Sequence, residues 1–96
     1  MKNFCMDSVV HRKDDHLLVS KLGDDLVMMD IENGAYLSLN KTGRIIWEQI
    51  ESPAKVRDII QTLTGLFEVD EEMCKSETFS FLEKLAERKA VEIDSL

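Results

Sequence analysis

Very little in this 96-residue chain suits covalent or metal chemistry. Its two cysteines, Cys5 and Cys74, are too few and too far apart for a disulfide framework or a metal knuckle. Each reads as an inert thiol, because free cysteine packs as a small hydrophobe. The four glycines, at 23, 34, 43 and 65, form no phosphate-cradling loop. There is no Gly-x-Ser-x-Gly elbow, and neither cysteine has a local histidine to activate it. The expectation is a protein without catalytic activity of its own, and no cofactor is implied. One proline and no low-complexity run leave no linker, so a single domain is expected. No apolar run reaches the ~18 residues of a membrane span, and no charged-then-apolar leader precedes a small-residue cleavage site. A cytoplasmic protein with no membrane span is the expectation. Basic residues are also in short supply, 12 against 19 acidic, for a net charge of −7. Such a surface repels phosphate backbones and attracts basic ligands or peptides.

What the chain does have is punctuation. Residues 1–15 read as a flexible N-terminal arm, with Val9-Val10 tucked against a body spanning residues 16–96. Three strands are predicted: His16–Leu22, Asp25–Ile31 and Ala35–Leu39. Gly23-Asp24 forms the first turn, with glycine where a type II′ turn requires it, and Asn33-Gly34 reads as a type I′ turn. The first two strands carry apolar residues on both faces, notably Leu17, Leu18 and Val19, then Val27, Met28 and Met29. Strands of that kind need cover on both sides. The arm, a second copy or a bound peptide are the candidates.

Three helices follow. Asn40 caps the first, about Lys41–Glu51, and Gly43 permits close approach to a neighbour at ~1 kcal/mol relative to alanine. Ser52-Pro53 reads as the start of the second, an N-cap with proline at the first helical position. Its buried stripe is Val56, Ile59, Ile60 and Leu63, and Gly65 or the following Leu66-Phe67 ends it. Asp70 caps the third, with Glu71 and Glu72 at its positive end. Val69 and Cys74 match a hydrophobic staple, and Thr78, Phe81, Leu82 and Leu85 continue the buried stripe. The helix closes near Arg88-Lys89, and Ala90–Asp94 reads as an extended tail or wing.

The candidate sites are few. His11 and His16 flank Asp14-Asp15, but no rigid element fixes a ligand geometry there, so a solvated loop is the simpler reading and no metal site is assigned. A winged-helix order raises DNA binding. The third helix, however, holds six acidic residues against four basic, and its N-terminal end is acidic, so phosphate repulsion opposes it. The edge of the third strand remains. Ala35–Leu39 has Tyr36 as an aromatic contact and no proline or lysine to block an added strand.

The ordered set Asn33-Gly34, Tyr36-Leu37-Ser38-Leu39-Asn40, Thr42-Gly43, Ile46-Trp47, Val69-Asp70 and Phe81-Leu82-Glu83-Lys84-Leu85 resembles the PqqD-like family. The likeness covers about residues 16–94. It departs from the family where Lys89-Ala90 replaces a usual glycine before the last strand. The resemblance implies an α+β, winged helix-turn-helix-like fold: a three-stranded antiparallel sheet followed by three helices. It also implies a non-catalytic recognition element for the leader of a ribosomally synthesised, post-translationally modified precursor peptide. The leader would be held as an added strand and presented to a separate modifying enzyme. A lasso-peptide system, with a leader peptidase and cyclase, is favoured; a peptide chaperone for a radical enzyme in pyrroloquinoline quinone biosynthesis is the alternative. Carried over by position, the peptide-binding residues are Tyr36, Leu37, Ser38 and Leu39 of the strand, with Met73, Glu77, Thr78, Phe81 and Lys84 of the third helix.

Overall fold

The computed structural model describes residues 5–13 and 15–94. In chain order the elements are β1 (Val9–Arg12), β2 (Leu17–Leu22), β3 (Asp25–Asp30), β4 (Ala35–Leu39), α1 (Lys41–Gln49), β5 (Ala54–Lys55), α2 (Val56–Leu66), α3 (Glu71–Glu87) and β6 (Val91–Asp94). Strands β2, β3 and β4 form an antiparallel meander in that order. The three helices follow it, as the sequence pattern implies. Gly23, at φ +63°, supplies the positive φ that the two-residue β2–β3 turn needs.

The β3–β4 turn differs from the type I′ expectation. Four residues connect the strands, and only Gly34 has positive φ, at +70°. The Asp30 carboxylate organises the loop. Its Oδ1 accepts from the Glu32 and Asn33 backbone N–H groups at 2.9 and 3.2 Å, and its Oδ2 accepts from the Asn33 side chain at 2.8 Å. With those donors already satisfied, Asn33 has no need of the left-handed conformation. These bonds, led by the Asn33 side chain, hold the Asp30 carboxyl below its ordinary value.

The largest correction concerns the N-terminal arm. Residues 9–12 are the central strand of a second sheet, β5-β1-β6. Val10 is fully buried there, paired with Ala54 on one side and Ile93 on the other. The rest of the segment caps helix α2: Val56 N–H donates to Ser8 C=O at 3.0 Å and Arg57 N–H to Met6 C=O at 2.8 Å. Those N–H groups are the ones a helix start leaves without partners. This also corrects the start of α2. Ser52-Pro53 precede β5, and the helix begins at Val56 after Lys55, which makes no side-chain cap. Pairing Ala54-Lys55 with β1 holds the chain extended for two more residues before the helix begins. Arg57 and Asp7 then clasp at 2.7 Å, which lowers the carboxyl pKa and raises that of the guanidinium. Residues 1–4 and 14 of the expected arm, with Asp14 of the histidine cluster, and residues 95–96 lie outside the described residues.

Other expectations hold as read. Asn40 Oδ1 accepts from Gly43 N–H at 3.0 Å, and Asp70 Oδ2 from Met73 N–H at 3.1 Å, so both caps satisfy free helix-start donors. Val56, Ile59, Ile60 and Leu63 are buried, and α2 runs past Gly65 to Leu66. After α3, Lys89 takes φ +60°. Ala90 N–H donates to Leu85 C=O and Lys89 N–H to Ala86 C=O, at 2.9 and 3.0 Å. This is a complete Schellman motif, built on a lysine that bears the left-handed strain.

Helices and meander share one core, with Met28, Leu39, Ile46, Ile59, Leu82 and Leu85 at its centre. In the meander register, Leu18, Met29 and Tyr36 lie side by side on the opposite face. Leu18 and Tyr36 are 55% and 66% exposed. Residues 9–12 do not cover that face, because they belong to the other sheet.

Candidate functional site

Strand β4 is an edge. It pairs with β3 on one side, and among the described residues no strand pairs with the other. Side chains alternate along it: Leu37 is half-buried and Leu39 buried on the core face, while Tyr36 and Ser38 are exposed on the outer face. Neither proline nor lysine interrupts it, and both are common devices for blocking strand addition.

Helix α3 runs beside this edge in the opposite direction. At one end Ala35, Tyr36 and Leu37 share a small gap of about 20 Å³ with Arg88 and Ala90, closed on its inner side by Leu17, Met28 and Asp30 of β2 and β3. At the other end Leu39 and Phe81 meet across Gly43. A Cβ on Gly43 would sit 3.1 Å from Phe81 Cζ and 3.3 Å from Leu39 Cβ. The close approach anticipated for Gly43 is therefore to the Phe81 ring and to β4, and glycine is what lets all three meet.

Beyond Phe81 the seam opens into a cavity of about 490 Å³ between the start of α1, the end of α2 and the first half of α3. That size lies within the range typical of ligand pockets. Ile46, Leu63, Phe67, Cys74 and Phe81 form apolar walls, and Asn40, Thr42, Glu68, Glu77 and Thr78 supply polar groups. The cavity can therefore receive apolar stems and meet a positive charge.

Of the residues singled out from sequence, Glu77, Thr78 and Phe81 are brought together around this cavity. The Thr78 side chain is buried, with Oγ1 4.0 Å from Cys74 Sγ. Tyr36 and Leu37 lie at the narrow end of the seam, and Leu39 reaches it through Gly43. Lys84 is exposed on α3 between Phe81 and Arg88. Met73 is 60% exposed in the first turn of α3 and does not line the cavity. Sequence reasoning missed Phe67, Glu68 and Val69 as cavity residues, because they come from a connection with no periodic signal. It also read Arg88 only as a helix-end cation. Counting four residues on from Lys84 along the helix face was the available clue.

The family model described as Coenzyme PQQ synthesis protein D (PqqD) matches residues 25–91. Among curated proteins no sequence matches. Two solved structures share the fold. One, described as TbiB1 in complex with the TbiA(beta) leader peptide, is 22% identical with a TM-score of 0.75 and covers 85% of this chain and 94% of that chain. The other, described as lasso peptide synthetase B1 complexed with the leader peptide, is 20% identical with a TM-score of 0.74 and covers 86% and 96%.

Proposed function

The chain belongs to the PqqD family, and from that premise we propose that it is a non-catalytic recognition protein for the leader of a ribosomally synthesised precursor peptide. The observation that carries this reading is the unpaired edge of β4, running beside α3 into an open cavity. An extended leader joins the sheet as a fourth strand. Main-chain hydrogen bonds along Ala35–Leu39 supply affinity for any sequence, and pockets for alternate side chains supply the choice. Tyr36, Leu37, Ser38 and Leu39 form the strand side of the site. Glu77, Thr78, Phe81 and Lys84 form the helix side, with Met73 at its approach. The bound precursor is then offered to a separate modifying enzyme in the cytoplasm.

Both structures of similar fold are described as complexes with leader peptides, one of them of a lasso peptide synthetase. That supports a lasso-type system, with a leader peptidase as the partner enzyme. Delivery of a precursor to a radical enzyme in pyrroloquinoline quinone synthesis is the alternative that the family description supports. The core sequence of the cognate precursor separates the two.

The test is titration of that labelled leader against the purified chain, where saturable binding in the micromolar range or tighter is expected. Proline is then placed at Leu37 and at Ser38, one at a time. Successive N–H groups point to opposite edges of a strand, so one variant breaks the β3 ladder and the other removes only an edge donor. The variant that keeps its fold loses affinity. Full affinity in that variant, or saturable binding of duplex DNA in place of the leader, contradicts the proposal.

A further inference from the structure

The cleft is charged unequally along its length. Glu68 and Glu77 line the cavity at one end, and Arg88 lines the narrow gap at the other, where the Asp30 carboxylate is taken up by the Glu32 and Asn33 donors of its own loop. Positions 77, 81, 84 and 88 of α3 fall within a stripe about 60° wide at 3.6 residues per turn, so Lys84 stands on the same side, between Phe81 and Arg88. Glu83 and Glu87 fall off that stripe. Among the described residues none of Glu68, Glu77, Lys84 and Arg88 takes part in an ion pair.

Two of these charges have a local explanation, since Lys84 and Arg88 sit at the negative end of α3. Four residues apart, however, they also repel each other. Glu77 lies beyond the first turn, where the helix dipole has faded. Glu68 precedes the helix altogether.

Direction follows from the strand and helix together. Strand β4 runs from the Arg88 end toward the Phe81 end, so a segment paired antiparallel to it runs alongside α3 in the helix's own direction. At 1.5 Å per residue, Phe81, Lys84 and Arg88 lie about 6, 10 and 16 Å beyond Glu77. At 3.4 Å per residue, strand positions i, i+2 and i+4, which share a face, lie at about 0, 7 and 14 Å. With position i level with Glu77, i+2 meets Phe81 and i+4 falls between Lys84 and Arg88.

We infer that the cleft selects an extended peptide segment of the order basic–x–apolar–x–acidic, read from N- to C-terminus. The basic stem enters the cavity toward Glu68 and Glu77, and the acidic side chain lies between Lys84 and Arg88. This rests on the peptide-binding reading above and adds a polarity to it. Main-chain pairing alone accepts any side chains, whereas the wrong charge order sets like against like at both ends.

The experiment is selection of a displayed random dodecapeptide library on the purified chain, with the folded proline variant of β4 as the control. Peptides that bind the chain but not the control are expected to be enriched in the forward order and depleted in the reverse. Synthetic forward and reverse peptides then differ by about tenfold in affinity, the scale of two exposed pairs turned from attraction to repulsion. The Glu77→Lys, Lys84→Glu, Arg88→Glu triple variant, checked for folding by circular dichroism, selects the reverse order. Control-sensitive peptides with no charge order overturn the polarity and leave strand addition standing. Peptides that bind the control equally well, or no enrichment at all, overturn both.

Discussion

Replacing Arg12 by alanine should destabilise the protein by about 2–3 kcal/mol, far more than a polar residue in a supposed arm would cost. Helix α1 ends at Gln49 with no basic residue in its last turn. Glu51 N–H, which a continued helix would give to Trp47 C=O, goes to Glu48 instead, at 3.3 Å. The Trp47 carbonyl is therefore one of the free acceptors at a helix end. Arg12 supplies the missing cap from 35 residues away, donating Nε at 3.1 Å and Nη2 at 2.5 Å. Its guanidinium also lies 4.3 Å from the centre of the Trp47 ring. A hydrogen bond to a charged group contributes about 1.5–3 kcal/mol and a cation–π contact about 0.5–1 kcal/mol where solvent reaches it. Taking the lower half of that range for a half-exposed side chain gives the figure above. In a domain of this size it lowers Tm by roughly 8–24 °C at about 4–8 °C per kcal/mol. Urea unfolding followed by the fluorescence of Trp47, the sole tryptophan, measures it. Arg12→Lys should recover less than half, because an ammonium has neither the fork nor the stacking plane. A loss below about 0.5 kcal/mol for alanine, against the 1.5–3 kcal/mol expected of one charged hydrogen bond, or full recovery by lysine, refutes the reasoning.

Three further outcomes are expected. Lys89→Gly should stabilise the protein by about 1 kcal/mol in the same unfolding assay, since it removes the left-handed strain that costs a side chain about 1–2 kcal/mol; destabilisation contradicts it. Gly43→Ala should leave stability within about 1 kcal/mol of wild type, as better helix propensity offsets the displaced Phe81 ring. Calorimetry should nevertheless show weaker leader binding, because the ring moves into the cavity, and unchanged affinity contradicts this. The contribution of Asp30 to stability should be fully present above its ordinary pKa of 3.8 and be lost as pH falls through its depressed folded value. Unfolding curves of wild type and Asp30→Ala should accordingly converge at acid pH, and a constant gap counts against it.

Local signals in the sequence were read well. Asn40 and Asp70 accept from N–H groups three residues ahead, and the Val56–Leu63 stripe is set by helical period; both need only a window of one or two turns. What escaped was long-range. Val9-Val10 is too short to declare a strand, and its partners lie more than 40 and more than 80 residues away. The carbonyls of Met6 and Ser8 cap α2 through the backbone, which carries no residue signature, so Ser52-Pro53 looked like the only available start. The β3–β4 turn was misread because Asp30, rather than Asn33-Gly34, governs it. The candidate site divides in the same way. The strand edge follows from alternation and turn signals, and Thr78 and Phe81 from helical period; Glu77 was implied only by the family resemblance, and Phe67, Glu68 and Val69 join the cavity only once α2 and α3 are packed.

The most direct test is amide hydrogen exchange of the chain with and without its cognate leader peptide. Strand addition predicts that alternate amides of Ala35–Leu39, those facing the free edge of β4, become strongly protected on binding. The free edge of β2, on the other side of the same meander, should exchange as before. Binding that leaves the β4 amides unprotected, or that protects β2 instead, contradicts the account.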